Sequence, residues 1–203
     1  MLPLYHDFSG ETVVIVGGGS VALRKARRFA EEANVLVLAG TFEDAFDDVD
    51  CELKRTHVTA ESVRTDVTDS YLVIPATDDS ELNANVATIA EREGCLVNRV
   101  DKVGDVVVPA CVRSDDVSVA VSTNGASPAT SKYLRQRLTP IVRQTEGMVR
   151  IQRTLRAELK RGDRSQDERA TLLWQVIESD DVWALLPEHV ERAETVARDI
   201  VDL

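Results

Sequence analysis

The stretch Val16-Gly17-Gly18-Gly19-Ser20-Val21-Ala22 joins a Val-rich run to an amphipathic one, and its smallest residues fall where a phosphate-binding turn needs them. Gly17, Gly19 and Ala22 fit the pattern G-x-G-x-x-A. The first position makes a tight turn, the second lets the backbone approach a pyrophosphate, and the third allows close packing of helix on strand. The N–H groups at the start of the helix then hold the phosphates. In a strand-turn-helix setting this points to a nicotinamide dinucleotide; the competing reading is a turn that is merely tight. The acidic residue expected on the ribose 2′-OH at the end of the next strand is absent, and Leu38-Ala39-Gly40-Thr41 stands there instead. Thr41 can supply that hydrogen bond, and this stretch holds no Arg to welcome a 2′-phosphate, so NAD is expected over NADP.

Two further places carry chemistry. Asp101, after Asn98-Arg99-Val100, ends an expected fifth strand and would project into the crevice beside the nicotinamide. A carboxylate there acts as general base or orients a substrate N–H; a turn-forming Asp before Lys102 and Gly104 is the other reading that position leaves open. His6, His57 and His189 are scattered and read as surface residues. Residues 122–128, Ser-Thr-Asn-Gly-Ala-Ser-Pro, leave a strand and open a helix, with Ser127 as N-cap and Pro128 in the first turn. Hydroxyls and free amides at a helix start cradle an anion, although helix capping alone accounts for the same residues. Downstream, Arg135, Arg137, Arg143, Arg150, Arg153 and Arg156 concentrate positive charge, as a solvated helix face or as a surface for a polycarboxylate.

The elements that must position these residues alternate in type. Strands are expected at 12–16, 35–39, 51–56, 71–76 and 96–100. Helices are expected at 21–32, with Ala22, Ala26, Phe29, Ala30 and Ala33 on one face, and at 80–93, with Leu82, Val86, Ile89 and Ala90 inward and Gly94 closing it. Alternation of this kind means a mainly parallel sheet with right-handed crossovers. The loop at 76–79 lies at the same carboxyl edge as the glycine turn, with Asp79 or Ser80 as N-cap of the following helix. After Asp101 the period changes. Runs at 106–112 and 117–123, joined by Arg113-Ser114-Asp115-Asp116, read as an antiparallel hairpin. Past Pro128 the chain reads as helix, with polar breaks at 161–166 and Pro187, and the change of domain is placed near residue 111.

Composition bounds the rest. The 203 residues carry a net charge of -11, which argues against a nucleic-acid binder. Only five of the 24 basic residues are Lys and 19 are Arg, a balance that suits a protein adapted to high salt. Cys51, Cys95 and Cys111 lack disulfide or metal-ligand spacing and are expected as buried small hydrophobes, with no metal site. No run approaches the roughly 18 apolar residues of a membrane span, and the first residues lack a basic region followed by an apolar stretch, so a cytoplasmic protein is expected.

The ordered set VVIVGGGSVALRKAR (13–27), ATDDSELN (76–83), NRVD (98–101), VVVPA (106–110) and VSVAVSTNGASPATSKYLRQRL (117–138) resembles the precorrin-2 dehydrogenase family, which includes the dehydrogenase/ferrochelatase part of siroheme synthases. The resemblance covers some two-thirds of the chain, from about Leu2 to Leu138. It implies oxidation of precorrin-2, which carries eight carboxylates, to sirohydrochlorin with NAD; some members also insert ferrous iron to give siroheme. It puts the cofactor on Gly17, Gly18, Gly19, Ser20, Val21, Gly40, Thr41, Thr77 and Asp78, and makes Asp101 the catalytic aspartate. Thr123, Asn124, Gly125 and Ser127 would take substrate carboxylates, Thr123 standing where the family often has Ser. It implies homodimers formed through the hairpin and helical part. The expected organisation is α/β: a Rossmann-like parallel sheet in an NAD-binding domain at 1–110, a small β-hairpin dimerisation and tetrapyrrole-binding region at 111–150, and a C-terminal helical region at 151–203. A redox-sensing NAD-binding module without catalysis, or a different small-molecule dehydrogenase, would use the same N-terminal unit.

Overall fold

The structure is a computed structural model describing residues 3–102, 104 and 106–203. The chain divides into two compact units, Met1–Val108 and Pro109–Leu203.

In the first unit, five parallel strands stand in the order β3-β2-β1-β4-β5: β1 (Thr12–Val16), β2 (Asn34–Ala39), β3 (Glu52–Arg55), β4 (Leu72–Pro75) and β5 (Leu96–Val97). Helices α1 (Ser20–Phe29), α2 (Ala60–Val67) and α3 (Ser80–Arg92) make crossovers. Alternate residues of β1 serve opposite faces, as a strand covered on both sides requires. Val13 and Ile15 pack with Ala22, Leu23, Ala26 and Phe29 of α1, while Val14 and Val16 pack with Val63 and Val67 of α2 and Val86 and Ala90 of α3. Ile15 is fully buried, and truncating such a side chain to Ala costs about 2–5 kcal/mol.

The expected strand-helix alternation is present, with differences at the ends of elements. Helix α1 stops at Phe29 rather than 32: the Glu32 amide reaches the Phe29 carbonyl three residues back at 2.9 Å, a tighter turn than that of the helix, and the chain enters β2 at Asn34. Helix α2 was not foreseen: it is short, its apolar face is essentially Val63 and Val67, and its capping box pairs Thr59 with Ser62 instead of an acid. Strand β5 pairs at Leu96 and Val97 and no further, so Asp101 stands four residues beyond the ladder instead of ending the strand. The three cysteines are half-buried rather than buried, and none is in a disulfide.

The second unit opens with an antiparallel hairpin, β6 (Ala110–Arg113) and β7 (Ser118–Val121), shorter than the runs at 106–112 and 117–123 suggested. Residues 106–109 lie outside the pairing; Val106 and Val108 instead pack on the core of the first unit. Four helices follow: α4 (Pro128–Leu159), α5 (Gln166–Ile177), α6 (Asp180–Leu185) and α7 (Val190–Ile200). The break before α6 was not foreseen; Ser179 makes it by accepting a hydrogen bond from the Val182 amide. Helix α4 runs through Pro140, which leaves the Gln136 carbonyl without its helical donor. Its C-terminal half supplies Met148, Ile151 and Leu155 to a core shared with Val176, Val182, Leu186, Ala193 and Ala197. Arg198 of α7 grips Glu158 of α4 with two nitrogens at 2.6 and 2.7 Å.

Candidate functional site

The loops after β1, β2 and β4 meet at the carboxyl edge of the sheet, and glycines are what let them meet. Gly17 sits at φ +130°, and a Cβ there would lie 2.5 Å from the Ala76 carbonyl oxygen. A Cβ on Gly18 would lie 1.9 Å from the Thr41 carbonyl oxygen. The Gly18 carbonyl in turn accepts from the Glu43 amide at 3.0 Å. Gly19 differs: nothing lies within 4 Å of where its Cβ would be. It is the N-cap of α1, and no side chain caps that helix, whereas Thr59, Asp79, Ser127, Ser165 and Ser179 cap α2 to α6. The start of α1, with Ser20 exposed and Val21 half-buried, thus offers amides without a side-chain acceptor and room beside a Cβ-less residue. A pyrophosphate fits that combination.

Gly40 and Thr41 are exposed at the end of β2. The expectation that no Arg attends this position is corrected by the fold. Parallel pairing sets Arg55 of β3 opposite Ala39, its guanidinium donates to the Gly40 carbonyl at 3.4 Å, and it lies 5.7 Å from the centre of the Phe42 ring.

At the end of β4, Thr77 is held by Asn83 of α3. The Asn83 side-chain oxygen accepts from the Thr77 amide at 3.1 Å and from its hydroxyl at 2.8 Å, while its nitrogen donates to the Thr77 carbonyl at 2.9 Å. Asn83 is only 1% exposed. Asp78 is exposed between them, and Asp79 is the N-cap, accepting from the Glu81 and Leu82 amides at 2.9 and 3.0 Å.

Asp101 lies in a bend beyond β5 and is bound by Arg99, which donates from Nε to Oδ1 at 2.8 Å and from a terminal nitrogen to Oδ2. The Arg99 guanidinium holds the carboxyl below the ordinary carboxylate range, against a smaller opposing effect of burial. Asp101 is therefore an ionised, oriented carboxylate. One residue upstream of that pair, buried Asn98 accepts from the Lys25 ammonium of α1 at 2.8 Å and donates to the Val106 carbonyl at 2.9 Å. Burial, with Arg28 and Arg24 adding repulsion, brings the pKa of Lys25 down to about 8.

In the second unit, residues 122–128 form a compact turn into α4. Asn124 and Gly125 take φ of +50° and +81° and are exposed. The Thr123 hydroxyl is turned inward, accepting from the Ser127 amide at 3.1 Å and lying 3.2 Å from the Ser131 hydroxyl. Ser127 caps α4 by accepting from the Thr130 amide at 3.2 Å. The six arginines of α4 are all exposed. Arg153 pairs with Asp116, and with Arg143 and Arg150 it lines an open groove of about 900 Å³ that also holds Asp115 and Glu146. Among the described residues no cluster of His, Cys, Asp and Glu could hold a metal ion, and no helix is long and apolar enough to cross a membrane.

Four participants went unnoticed in the sequence: Arg99, Asn83, Arg55 and Lys25. Asn83 left a signal, a polar residue within the inward stripe of α3. Lys25 left a weaker one, between the buried Ala22 and Ala26 of an amphipathic helix. Nothing local marks Arg99 or Arg55.

Comparison with known proteins gives the following. Residues 4–110 match the model of a putative NAD(P)-binding family, and residues 115–139 that of the sirohaem biosynthesis protein central family. The chain is 37% identical over 208 residues to a precorrin-2 dehydrogenase of Methanosarcina barkeri, covering 98% of this chain and 93% of the relative. It is also 37% identical over 149 residues to a siroheme synthase of Nitrosococcus oceani, and 36% identical over 164 residues to one of Azotobacter vinelandii. Those alignments take in 72% and 79% of this chain but only 32% and 35% of the longer synthases. The solved structure of SirC, a precorrin-2 dehydrogenase, superposes with a TM-score of 0.76 over 100% of this chain and 99% of its own, at 24% identity, a likeness of fold.

Proposed function

The chain belongs to the precorrin-2 dehydrogenase family, and from that premise we propose how its residues carry out the NAD-dependent oxidation of precorrin-2 to sirohydrochlorin. The observation that carries the reading is the uncapped start of α1 with open space at Gly19, in the same unit as an ionised, arginine-held Asp101.

Amides of residues 19–21 bind the cofactor pyrophosphate, with Gly17 and Gly18 letting the neighbouring loops close behind them. Gly40 and Thr41 meet the adenosine ribose, and Thr77, held by Asn83, with Asp78 lines the crevice beyond β4. NAD bound there supplies the two-electron acceptor that takes a hydride from a reduced tetrapyrrole carbon. A carboxylate oxygen of Asp101 takes the proton lost with it, and Arg99 keeps that carboxylate ionised and aimed. In the second unit, Asn124 and Gly125 present the exposed part of an anion-binding turn to a substrate carboxylate. Thr123 and Ser127 shape that turn through their internal hydrogen bonds.

The same reading includes a cytoplasmic homodimer formed through residues 111–150, in keeping with Tyr133, Leu134 and Ile141, which stand exposed on the first half of α4. It also includes adaptation to high salt, and ferrous iron as a substrate for chelation into sirohydrochlorin. The test is anaerobic turnover of enzymatically generated precorrin-2 with NAD in molar salt, following sirohydrochlorin absorbance with and without ferrous iron. NAD-dependent sirohydrochlorin formation supports the dehydrogenase, and siroheme formation above the protein-free rate supports chelation. Tight NAD binding by folded protein without turnover would overturn the catalytic reading.

A further inference from the structure

Lys25 sits on the side of α1 that faces the sheet, half-buried, and among the described residues no carboxylate pairs with it. Among the described residues its polar partner is the side-chain oxygen of Asn98, a residue 73 positions away and 5% exposed. Even partial burial of an ammonium without a paired carboxylate has a cost, and an apolar residue would cover the same surface without it. A lysine kept there calls for a use.

The use follows from donors and acceptors. An ammonium only donates, so it can face the oxygen of an Asn amide and not the NH₂. With the oxygen committed to Lys25, the Asn98 nitrogen turns to the Val106 carbonyl, which it reaches at 2.9 Å. The Asn98 backbone is fixed as well, its amide donating to the Val73 carbonyl of β4 at 3.0 Å. Residues 98 and 106 bracket the segment that carries both Arg99 and Asp101.

We infer that Lys25 is a positioning residue: by setting the orientation of the Asn98 amide it clamps residues 98 and 106 together and so places Asp101. Helix α1, whose first turn receives the dinucleotide, is thereby tied to the segment bearing the proposed base. The inference rests on the reading of Asp101 as that base. Burial, and after it the charges of Arg28 and Arg24, bring the Lys25 pKa down to about 8.

The test uses Lys25→Met, which keeps the stem and removes the donor, with Asn98→Asp, which keeps the partner of Lys25 and loses the donor to Val106. Each is expected to lower kcat at least tenfold while leaving the Kd for NAD and the KM for precorrin-2 within about twofold, and the double variant should be no worse than the poorer single. A merely structural lysine would lower the melting temperature and leave kcat per folded enzyme unchanged, which would overturn the inference. An independent readout is solvent exchange of the Asn98 side-chain NH₂ followed by NMR in the NAD-bound protein. Exchange at least tenfold faster in Lys25→Met is expected; unchanged exchange would overturn the clamp. Asp101→Asn, measured alongside, separates the two readings. If it turns over normally, the catalytic role fails, and with it the purpose assigned to the clamp. If it is inactive while Lys25→Met retains full kcat, only the clamp fails.

Discussion

Arg99 and Asp101, two residues apart, face each other through two hydrogen bonds, so the candidate base carries its own counter-ion. The pair explains how a carboxylate on a bend beyond a two-residue strand keeps one orientation. A fork of two donors fixes the plane of the carboxyl as well as its charge.

The pair makes a prediction about pH. A carboxyl whose pKa is lowered in the folded enzyme stays ionised as pH falls, so turnover that needs the base form survives to below the ordinary carboxylate range. Arg99→Gln removes the largest cause of that lowering. The acid limb of kcat/KM should therefore move to higher pH, with kcat at the optimum reduced roughly tenfold to hundredfold from lost aim. A pH-rate profile of the two proteins decides it; coincident acid limbs would count against Asp101 as the titrating base.

Gly18 and Gly19 should fail in different ways when changed to Ala. At Gly18 the new Cβ meets the Thr41 backbone, so the loops must part and the first unit loses about 1–3 kcal/mol or more. At Gly19 the Cβ enters open space, so folding is preserved and NAD affinity drops at least tenfold as the approach of the pyrophosphate is blocked. Thermal unfolding with NAD titration distinguishes the two; equal loss of stability in both would refute the separation.

Arg55 should decide how the protein treats a 2′-phosphate. It lies over Phe42 beside Gly40, at a strand end that lacks the acidic residue used to repel that phosphate. Hydrogen bonds to charged groups contribute about 1.5–3 kcal/mol, so Arg55→Gln should weaken NADP binding roughly tenfold or more and NAD binding by less than about threefold. Calorimetric titration of both cofactors measures this; equal effects on the two would place the guanidinium away from the 2′ position.

Ile141 and Tyr133 are 58% and 60% exposed on α4 and should be covered in the proposed homodimer. Ile141→Glu combined with Tyr133→Ser is expected to raise the dimer dissociation constant by at least a hundredfold, with the helix content unchanged. Light scattering across a concentration series would show it. A wild-type chain that is monomeric at tens of micromolar would refute the dimer.

What the sequence alone determined is whatever depends on local geometry. The turn after β1 demands glycine because a Cβ has nowhere to go at Gly17 and Gly18, and that demand is written in two adjacent letters. The strand and helix periods of β1, α1, β4 and α3 are equally local, and so are the caps at Asp79 and Ser127. Helix α2 was illegible because two apolar residues do not make a period, and the short β5 because a Val-rich run says nothing of where its partner ends. Tertiary structure alone decided the partners. Arg55 reaches Gly40 only through the register of parallel β2 and β3, which depends on the crossover between them. Lys25 finds Asn98 across 73 positions, and Asn83 finds Thr77, because a buried polar group takes whichever complementary group the packing brings within 3 Å. Periodicity tells which residues go inside; it does not tell which donor will meet which acceptor there, since that is settled by how separate elements pack in three dimensions.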